Sequence, residues 1–286
     1  MTYNIKKHTT MKTKVTKASG AIEDLNPGKL QTSLVRSGAD REQAEEIIEK
    51  VLREIEPYTS TKKIYRLAKK YLGQFNHASG LRYSLKRALF RLGPSGYPFE
   101  KYFGELLKYN GYQVSIGVIR KGKCVNHEVD VFAVKDRHVS LIECKYHNKA
   151  GIATDVKIAM YVHSRFLDLS PVIKSQYPDK TCTAWLVTNT RCTSDAVQYA
   201  NCTGLKVISW KYPDNEGLEK MIEDKRLYPV TILSGVKSGL IKILIKNNII
   251  LLKDLAAIES KEIAAILSIP ENKALTLKQQ AGELSP

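Results

Sequence analysis

Apolar positions change period several times between residues 96 and 212, and the changes read as elements. Phe99, Phe103, Leu106 and Leu107 recur at helical spacing and predict an amphipathic helix that ends near Gly111. Gln113 to Ile119 alternates through Val114, Ile116 and Val118 and then turns at Gly122. Val125 to Val134 follows, with Val129, Val131 and Phe132 around Asp130. Asp136-Arg137-His138 is a polar turn, after which Val139, Leu141 and Ile142 lead into Glu143. Two β-rich runs joined by a short polar turn predict a hairpin. A period of two puts Leu141, Glu143 and Lys145 on one face. Ile152 to Leu169 then predicts a helix, Thr183 to Thr188 a strand, Ser194 to Ala200 a short helix and Leu205 to Trp210 a last strand. The order is α-β-β-β-α-β-α-β.

The flanking segments carry a different pattern. Val15 and Ile22 around Ser19-Gly20 predict a small hairpin over 13–24. Asn26-Pro27 is a cap-plus-proline helix start, and that helix stops at Gly38. Asp40 and Gln43 open the next helix as a capping box, and Pro57 closes it. A third helix starts at Thr61, and a fourth spans Ala78 to Leu92. The result is a hairpin on a four-helix bundle. At the other end, Glu216 to Tyr228 predicts a helical linker closed by Pro229, followed by short helices with apolar stripes through Leu240, Ile243, Leu244, Ile263, Ile266 and Leu267.

Charge changes the picture. The chain of 286 residues carries 45 Lys and Arg against 29 Asp and Glu, a net +16 that suits a polyanionic partner. The surplus is uneven: +10 over residues 1–95 (19 basic, 9 acidic) but +3 over 96–225 (18 and 15). From Pro57 to Phe99 the basic residues are Lys62, Lys63, Arg66, Lys69, Lys70, Arg82, Lys86, Arg87 and Arg91, and there is no acidic one. A solvated face normally mixes signs, so a phosphate-rich ligand, nucleotide or DNA, is the simplest account. The N-terminus has no apolar leader core and no stretch reaches membrane-spanning length. The five cysteines form no Cys-x-x-Cys pair and no disulfide framework. These features predict a cytoplasmic protein with reduced thiols and no membrane partner.

The candidate chemistry is Asp130 followed by Glu143-Cys144-Lys145. Three other Glu-x-Lys triplets (Glu223-Lys225, Glu259-Lys261, Glu271-Lys273) lack a strand-borne Asp before them. Two carboxylates and a lysine on neighbouring strands can hold Mg²⁺ against a phosphodiester: hard oxygens bind the ion, and the lysine stabilises developing charge or assists as a base. A surface hairpin with solvated charges is the other reading of the spacing. Lys157, Tyr161 and Arg165 share one face of the following helix; an ordinary amphipathic surface fits them better than a phosphate contact. The Gly-x-x-x-x-Gly-Lys-Ser/Thr phosphate loop is absent, so ATP would be a ligand and not a fuel.

These residues resemble known families. Phe99-Glu100, His127-Glu128-Val129-Asp130, Glu143-Cys144-Lys145 and Val187-Thr188-Asn189 followed by Ala196 and Ala200 resemble the PD-(D/E)xK nucleases, in particular the Mrr-type restriction endonuclease domain, over 96–212. The resemblance implies that Asp130 and Glu143 ligate the metal, Lys145 assists the attacking water and Glu100 completes the metal site. Val15-Thr16-Lys17 with Gly20, then Glu23, Asn26, Lys29 and Thr61, resemble the ATP-cone domain over 13–95, with Ala18 and Ser19 departing from its usual basic residue and Asp. That resemblance implies Lys17 and Lys29 on phosphates, Glu23 and Asn26 on the nucleoside, Thr61 in the same pocket and Lys86 or Arg87 closing the phosphate end. Residues 226–286 resemble a helix-hairpin-helix DNA-binding segment without its glycine-rich turn; a packing or dimerisation element fits as well. The expectation is an α/β multidomain protein: an N-terminal helical ATP-cone, a central restriction-endonuclease-like α/β/α core with a mixed sheet and a small all-α C-terminal domain. Its function would be a Mg²⁺-dependent DNA endonuclease regulated by bound ATP or dATP, in a restriction, DNA-defence or repair system. Double-strand cutting needs two sites and points to a homodimer. The alternative is a non-catalytic, nucleotide-responsive DNA-binding regulator.

Overall fold

A computed structural model describes residues 13–285; the leader reading of the N-terminus falls largely outside them. The chain is a mixed α/β protein that divides into two compact units, one ending at Tyr83 and one beginning at Ser84. Among the described residues, no helix is long and apolar enough to cross a membrane.

In the first unit, β1 (Lys14–Thr16) pairs antiparallel with β2 (Ile22–Asp24). The predicted hairpin gains a third strand that the sequence did not signal: β3 (Thr59–Ser60) runs parallel to β1. Helix α1 (Pro27–Arg36) is capped by the Asn26 side chain, which accepts from Lys29 N–H at 3.0 Å. Asp40 and Gln43 form the expected capping box on α2 (Arg41–Glu54). Helix α3 (Thr61–Phe75) is capped by Ser60. Leu34, Ile47, Val51, Ala68 and Leu72 are fully buried between these helices. The fourth helix is broken, which corrects the expectation of one span over 78–92. Helix α4 (His77–Arg82) packs so closely on α3 that a Cβ on Gly80 would stand 2.9 Å from Gly73 Cα. Arg82 reaches back to the Ser37 carbonyl at 3.1 Å. Helix α5 (Leu85–Leu89) instead belongs to the second unit, where the Ala88 carbonyl accepts from Thr231 Oγ1 at 2.7 Å.

The second unit is built on a five-stranded mixed sheet. Helix α6 (Tyr97–Lys108) precedes β4 (Gln113–Lys121), β5 (Asn126–Lys135) and β6 (His138–Lys145). A two-residue addition, β7 (Ala153–Thr154), stands where a helix start was expected; the long helix α7 (Val156–Gln176) begins after the Asp155 cap and continues through Pro171. Then come β8 (Thr181–Thr188), β9 (Arg191–Cys192), α8 (Ser194–Thr203) and β10 (Lys206–Ile208). The strand order is β10-β8-β6-β5-β4, with β8 and β10 parallel to β6 and the β4–β5–β6 meander antiparallel. Short β7 and β9 pair with each other beside it.

The predicted linker is part of this unit. Helix α9 (Leu218–Asp224) buries Leu218 and Ile222, and the Tyr102 hydroxyl of α6 donates to the Leu227 carbonyl at 2.8 Å. A 3₁₀ turn at Val230–Ile232 leads to α10 (Ser238–Lys246), α11 (Leu252–Ala257), α12 (Ser260–Leu267) and α13 (Glu271–Leu284). Lys101 to Asn248 and Tyr109 to Asp254 hydrogen bonds tie this helical region to α6. Apolar burial, led by Leu218, Ile222, Leu227 and Tyr228, explains why residues that read as a spacer fold onto the core.

Candidate active site

Asp130 stands at a break in the sheet. Its neighbour across β4 is Gly117, whose φ of +60° only glycine adopts without strain. The covered face changes there. Ile116 lies on the α6 side, 2.5 Å from where a Gly104 Cβ would be, whereas Val118 and Val129 pack with Leu169 and Ile173 of α7. The alternation of exposed and part-buried positions through Val114, Ile116 and Val118 holds as expected, while the face that is covered changes at Gly117. The β5–β6 ladder also stops short: its last pair is Val131 with Ile142, and continuing the register would set Asp130 opposite Glu143. The Asp130 carboxylate takes over from the backbone and accepts the Cys144 N–H at 2.7 Å. Cys144 is buried, and Leu141, Glu143 and Lys145 alternate with it along β6, as read from the sequence.

The electrostatics tie four carboxylates together. Burial pushes the Asp130 carboxyl up, opposed by the Cys144 N–H and Arg165. Burial and then Asp130 push Glu143 up, opposed by Arg165. Glu100, in the first turn of α6, is pushed up to about 7, first by burial and then by Asp130, Glu128 and Glu143. Glu100 thus belongs to the same cluster as the strand carboxylates. Among the described residues, however, no three His, Cys, Asp or Glu side chains converge as a metal-holding group. The expected triad of Asp130, Glu143 and Glu100 is present as neighbours and not as a closed ligand set. The reason lies on α7. The Arg165 guanidinium pairs with Glu143, and their side chains are only 14% and 22% exposed. Arg165 is therefore not surface decoration, contrary to the sequence reading, whereas Lys157 and Tyr161 of the same face are exposed as that reading expected.

The donor chemistry still suits a hard divalent cation: several carboxylate oxygens, half withdrawn from water, repel one another despite Arg165 and Lys145. Beyond Lys145 a polar network closes the strand end. His147 accepts and donates through its backbone to Asn189, and its ring meets Thr154 Oγ1 at 3.0 Å. Thr154 reaches Thr188, which meets Thr190 at 3.3 Å. Burial and the nearby Lys145 hold the His147 ring below its ordinary pKa. Sequence reasoning passed over His147 and Thr154 because a loop and a two-residue strand carry no periodic signal. On the far side, Asp168 of α7 clamps the β4–β5 turn through Cys124 N–H and the His127 ring, both at 2.7 Å.

In the first unit, Lys17 pairs with Glu23 at 2.6 Å, and the Asn26 side chain is committed to its cap. The β1–β3 register ends at Thr16–Ser60, one residue before Lys17 on one side and Thr61 on the other, and Lys29 is exposed. Lys86 lies on α5 in the second unit, over the Trp210 ring.

Comparison with known proteins adds ancestry. An uncharacterized protein of Archaeoglobus fulgidus is 36% identical over 161 residues, covering 56% of this chain and 87% of that protein. The crystal structure of AF1548, a protein of unknown function, matches at 32% identity with a TM-score of 0.56, covering 66% of this chain and 98% of that one. This chain belongs to the AF1548-like family. The model of the AF1548-like C-terminal region matches residues 228–285, the four-helix region that follows α9.

Proposed function

We propose that this protein is a metal-dependent nuclease of the PD-(D/E)xK type, an endodeoxyribonuclease that uses Mg²⁺. One observation carries the reading: where the β5–β6 ladder gives out after Val131–Ile142, the Asp130 carboxylate accepts the N–H of Cys144, between Glu143 and Lys145, and Glu100 is drawn into the same field. A merely solvated hairpin does not withdraw three carboxylates from water and set them against one another. Asp130 and Glu143 would hold the cation, with Glu100 behind them; when bound, the ion supplies charge neutralisation and an activated water. The chain's own residues do the rest. Lys145 stands beside the carboxylates and offsets charge that develops on the phosphate. Arg165, released from Glu143, offers a planar fork to a phosphate oxygen, so substrate arrival and the freeing of Glu143 are one exchange.

The first unit is proposed as an ATP-cone-like module that binds ATP or dATP and sets the activity, with Lys17, Glu23, Asn26, Lys29 and Thr61 as its candidate contacts. A restriction, defence or repair setting, and a homodimer for double-strand cutting, follow from the same reading. The second reading, a silent nucleotide-responsive DNA-binding regulator, is favoured by one fact: Glu143 already has a cation in Arg165. Plasmid cleavage with Mg²⁺, with and without ATP and dATP, separates the two. Asp130→Ala should abolish scission and leave DNA binding intact or stronger. Scission by that variant at the parent's rate refutes the site; no scission by the parent under any divalent metal favours the regulator.

A further inference from the structure

A second cleft opens at the carboxyl ends of the parallel strands, beside the carboxylate cluster and separate from it. Its charged lining is Lys86, Arg191 and Lys211, against a single carboxylate, Asp214. The cations crowd one another. Burial holds Lys86 below its ordinary pKa; Glu219 opposes this, and Lys211 and Arg191 deepen it. Phe90 and Tyr212 form part-exposed aromatic walls, and buried Trp210 backs the cleft beneath Lys86, whose Nζ lies 5.6 Å from the ring centroid. The walls are tied to the candidate active site. The Tyr146 hydroxyl, on the residue after Lys145, donates to the Phe90 carbonyl at 2.9 Å. Thr188 pairs with Lys145 across β6 and β8, and Thr190, two residues on, accepts the Trp210 N–H at 2.8 Å. Open α/β sheets place ligands outside the carboxyl ends of their strands, and this cleft occupies that position.

We propose that this cleft is a nucleotide subsite: Arg191, Lys211 and Lys86 take a phosphate, and the base lies against Phe90 and Tyr212. A bare inorganic anion has no use for aromatic walls, and a purely apolar ligand has no use for crowded cations. A nucleoside phosphate satisfies both, because every base has a π-face and every linkage a charge. Its position beside Lys145 makes the nucleotide one carried in a strand that leaves the scissile position. The proposal takes that source from the nuclease reading, but its ligand chemistry stands without it.

The test measures binding of the full chain in EDTA, so that it does not depend on cleavage. The probes are a short fluorescein-labelled single-stranded deoxyoligonucleotide, dAMP and deoxyribose 5-phosphate. The chain's two tryptophans are Trp185, which lines a different pocket, and Trp210, which lines this one, so a fluorescence change on adding dAMP that persists in Trp185→Phe reports Trp210 and this cleft. Arg191→Ala/Lys211→Ala should weaken oligonucleotide binding about tenfold and make the log–log salt slope shallower by about 0.7, because the one phosphate they hold contributes about 0.7 on a single strand. Arg191→Lys/Lys211→Arg should restore the slope, and Lys123→Ala/Lys174→Ala, exposed lysines elsewhere on the second unit, should leave it unchanged. Loss of oligonucleotide binding with weak dAMP binding assigns the subsite to a strand. Loss of dAMP binding alone assigns it to a free nucleotide. Deoxyribose 5-phosphate binding as tightly as dAMP overturns the nucleotide assignment, and an effect no larger than that of the lysine control overturns the site.

Discussion

Replacing Glu100 with Gln should make the protein more stable, and only above the range in which the parent's carboxyl is still protonated. In the fold this carboxyl is pushed up to about 7 from an ordinary value of 4.5, mainly by burial and then by Asp130, Glu128 and Glu143. A raised carboxyl binds its proton more tightly in the folded state, so the parent loses stability as pH rises from about 4.5 to about 7 and stays at the lower level beyond. The full shift corresponds to about 3.4 kcal/mol at about 1.36 kcal/mol per unit; because the group is only part-buried, about 2 kcal/mol is expected. The neutral amide escapes this loss. Urea unfolding followed by the fluorescence of Trp185 and Trp210 reads the second unit selectively. In EDTA the variant should exceed the parent by about 2 kcal/mol above pH 7 and converge with it below pH 4.5. Mg²⁺ should then close the gap, by stabilising the parent's ionised cluster more than the variant's. A difference that is the same at both ends of the pH range refutes the mutual repulsion on which the site rests. Equal stabilisation of both proteins by Mg²⁺ removes Glu100 from the ligand set.

Two further outcomes follow from the packing around that cluster. Arg165→Met leaves Glu143 without its cation at a site where both side chains are mostly buried, so stability in EDTA should fall by about 2 kcal/mol. Glu143→Gln in the same chain should recover most of that loss, measured as a double-mutant cycle by urea unfolding; purely additive losses would mean the pair does not interact. Gly122→Ala should cost about 2 kcal/mol, because a Cβ there would stand 2.1 Å from Asp168 Oδ2 and 2.7 Å from the Val125 carbonyl, which forces open the β4–β5 turn. The drop should show as a lowered midpoint of thermal unfolding, and an unchanged midpoint would mean the turn yields freely.

What the sequence made legible was what periodicity and capping encode. Asn26, Asp40 and Gln43 act through contacts three residues away, so the helix starts they mark were readable as written. The β5–β6 hairpin and its carboxylates were readable because alternation needs only neighbours on one strand. The missing features all depend on partners far along the chain. Nothing near Thr59 announces that it will pair with Val15, and nothing near Leu227 announces the Tyr102 hydroxyl, 125 residues earlier. Helix α5 carried a continuous helical pattern from α4, yet its Ala88 carbonyl is claimed by Thr231, 143 residues on, and Lys86 goes with it. That single reassignment bears on function. It places Lys86 in the cleft of Arg191 and Lys211, beside the strand end that carries Lys145. Arg165 follows the same logic in reverse: its helical face looked solvated because its partner, Glu143, lies 22 residues upstream on a strand that no helical spacing can see. The two cationic groups thus divide the work around the carboxylates. In the proposed nuclease, Arg165 would hold Glu143 until a phosphate competes for it, and the Lys86–Arg191–Lys211 cleft would supply positive charge for the strand beyond, so the near balance of charge over residues 96–225 is compatible with gripping a polyanion.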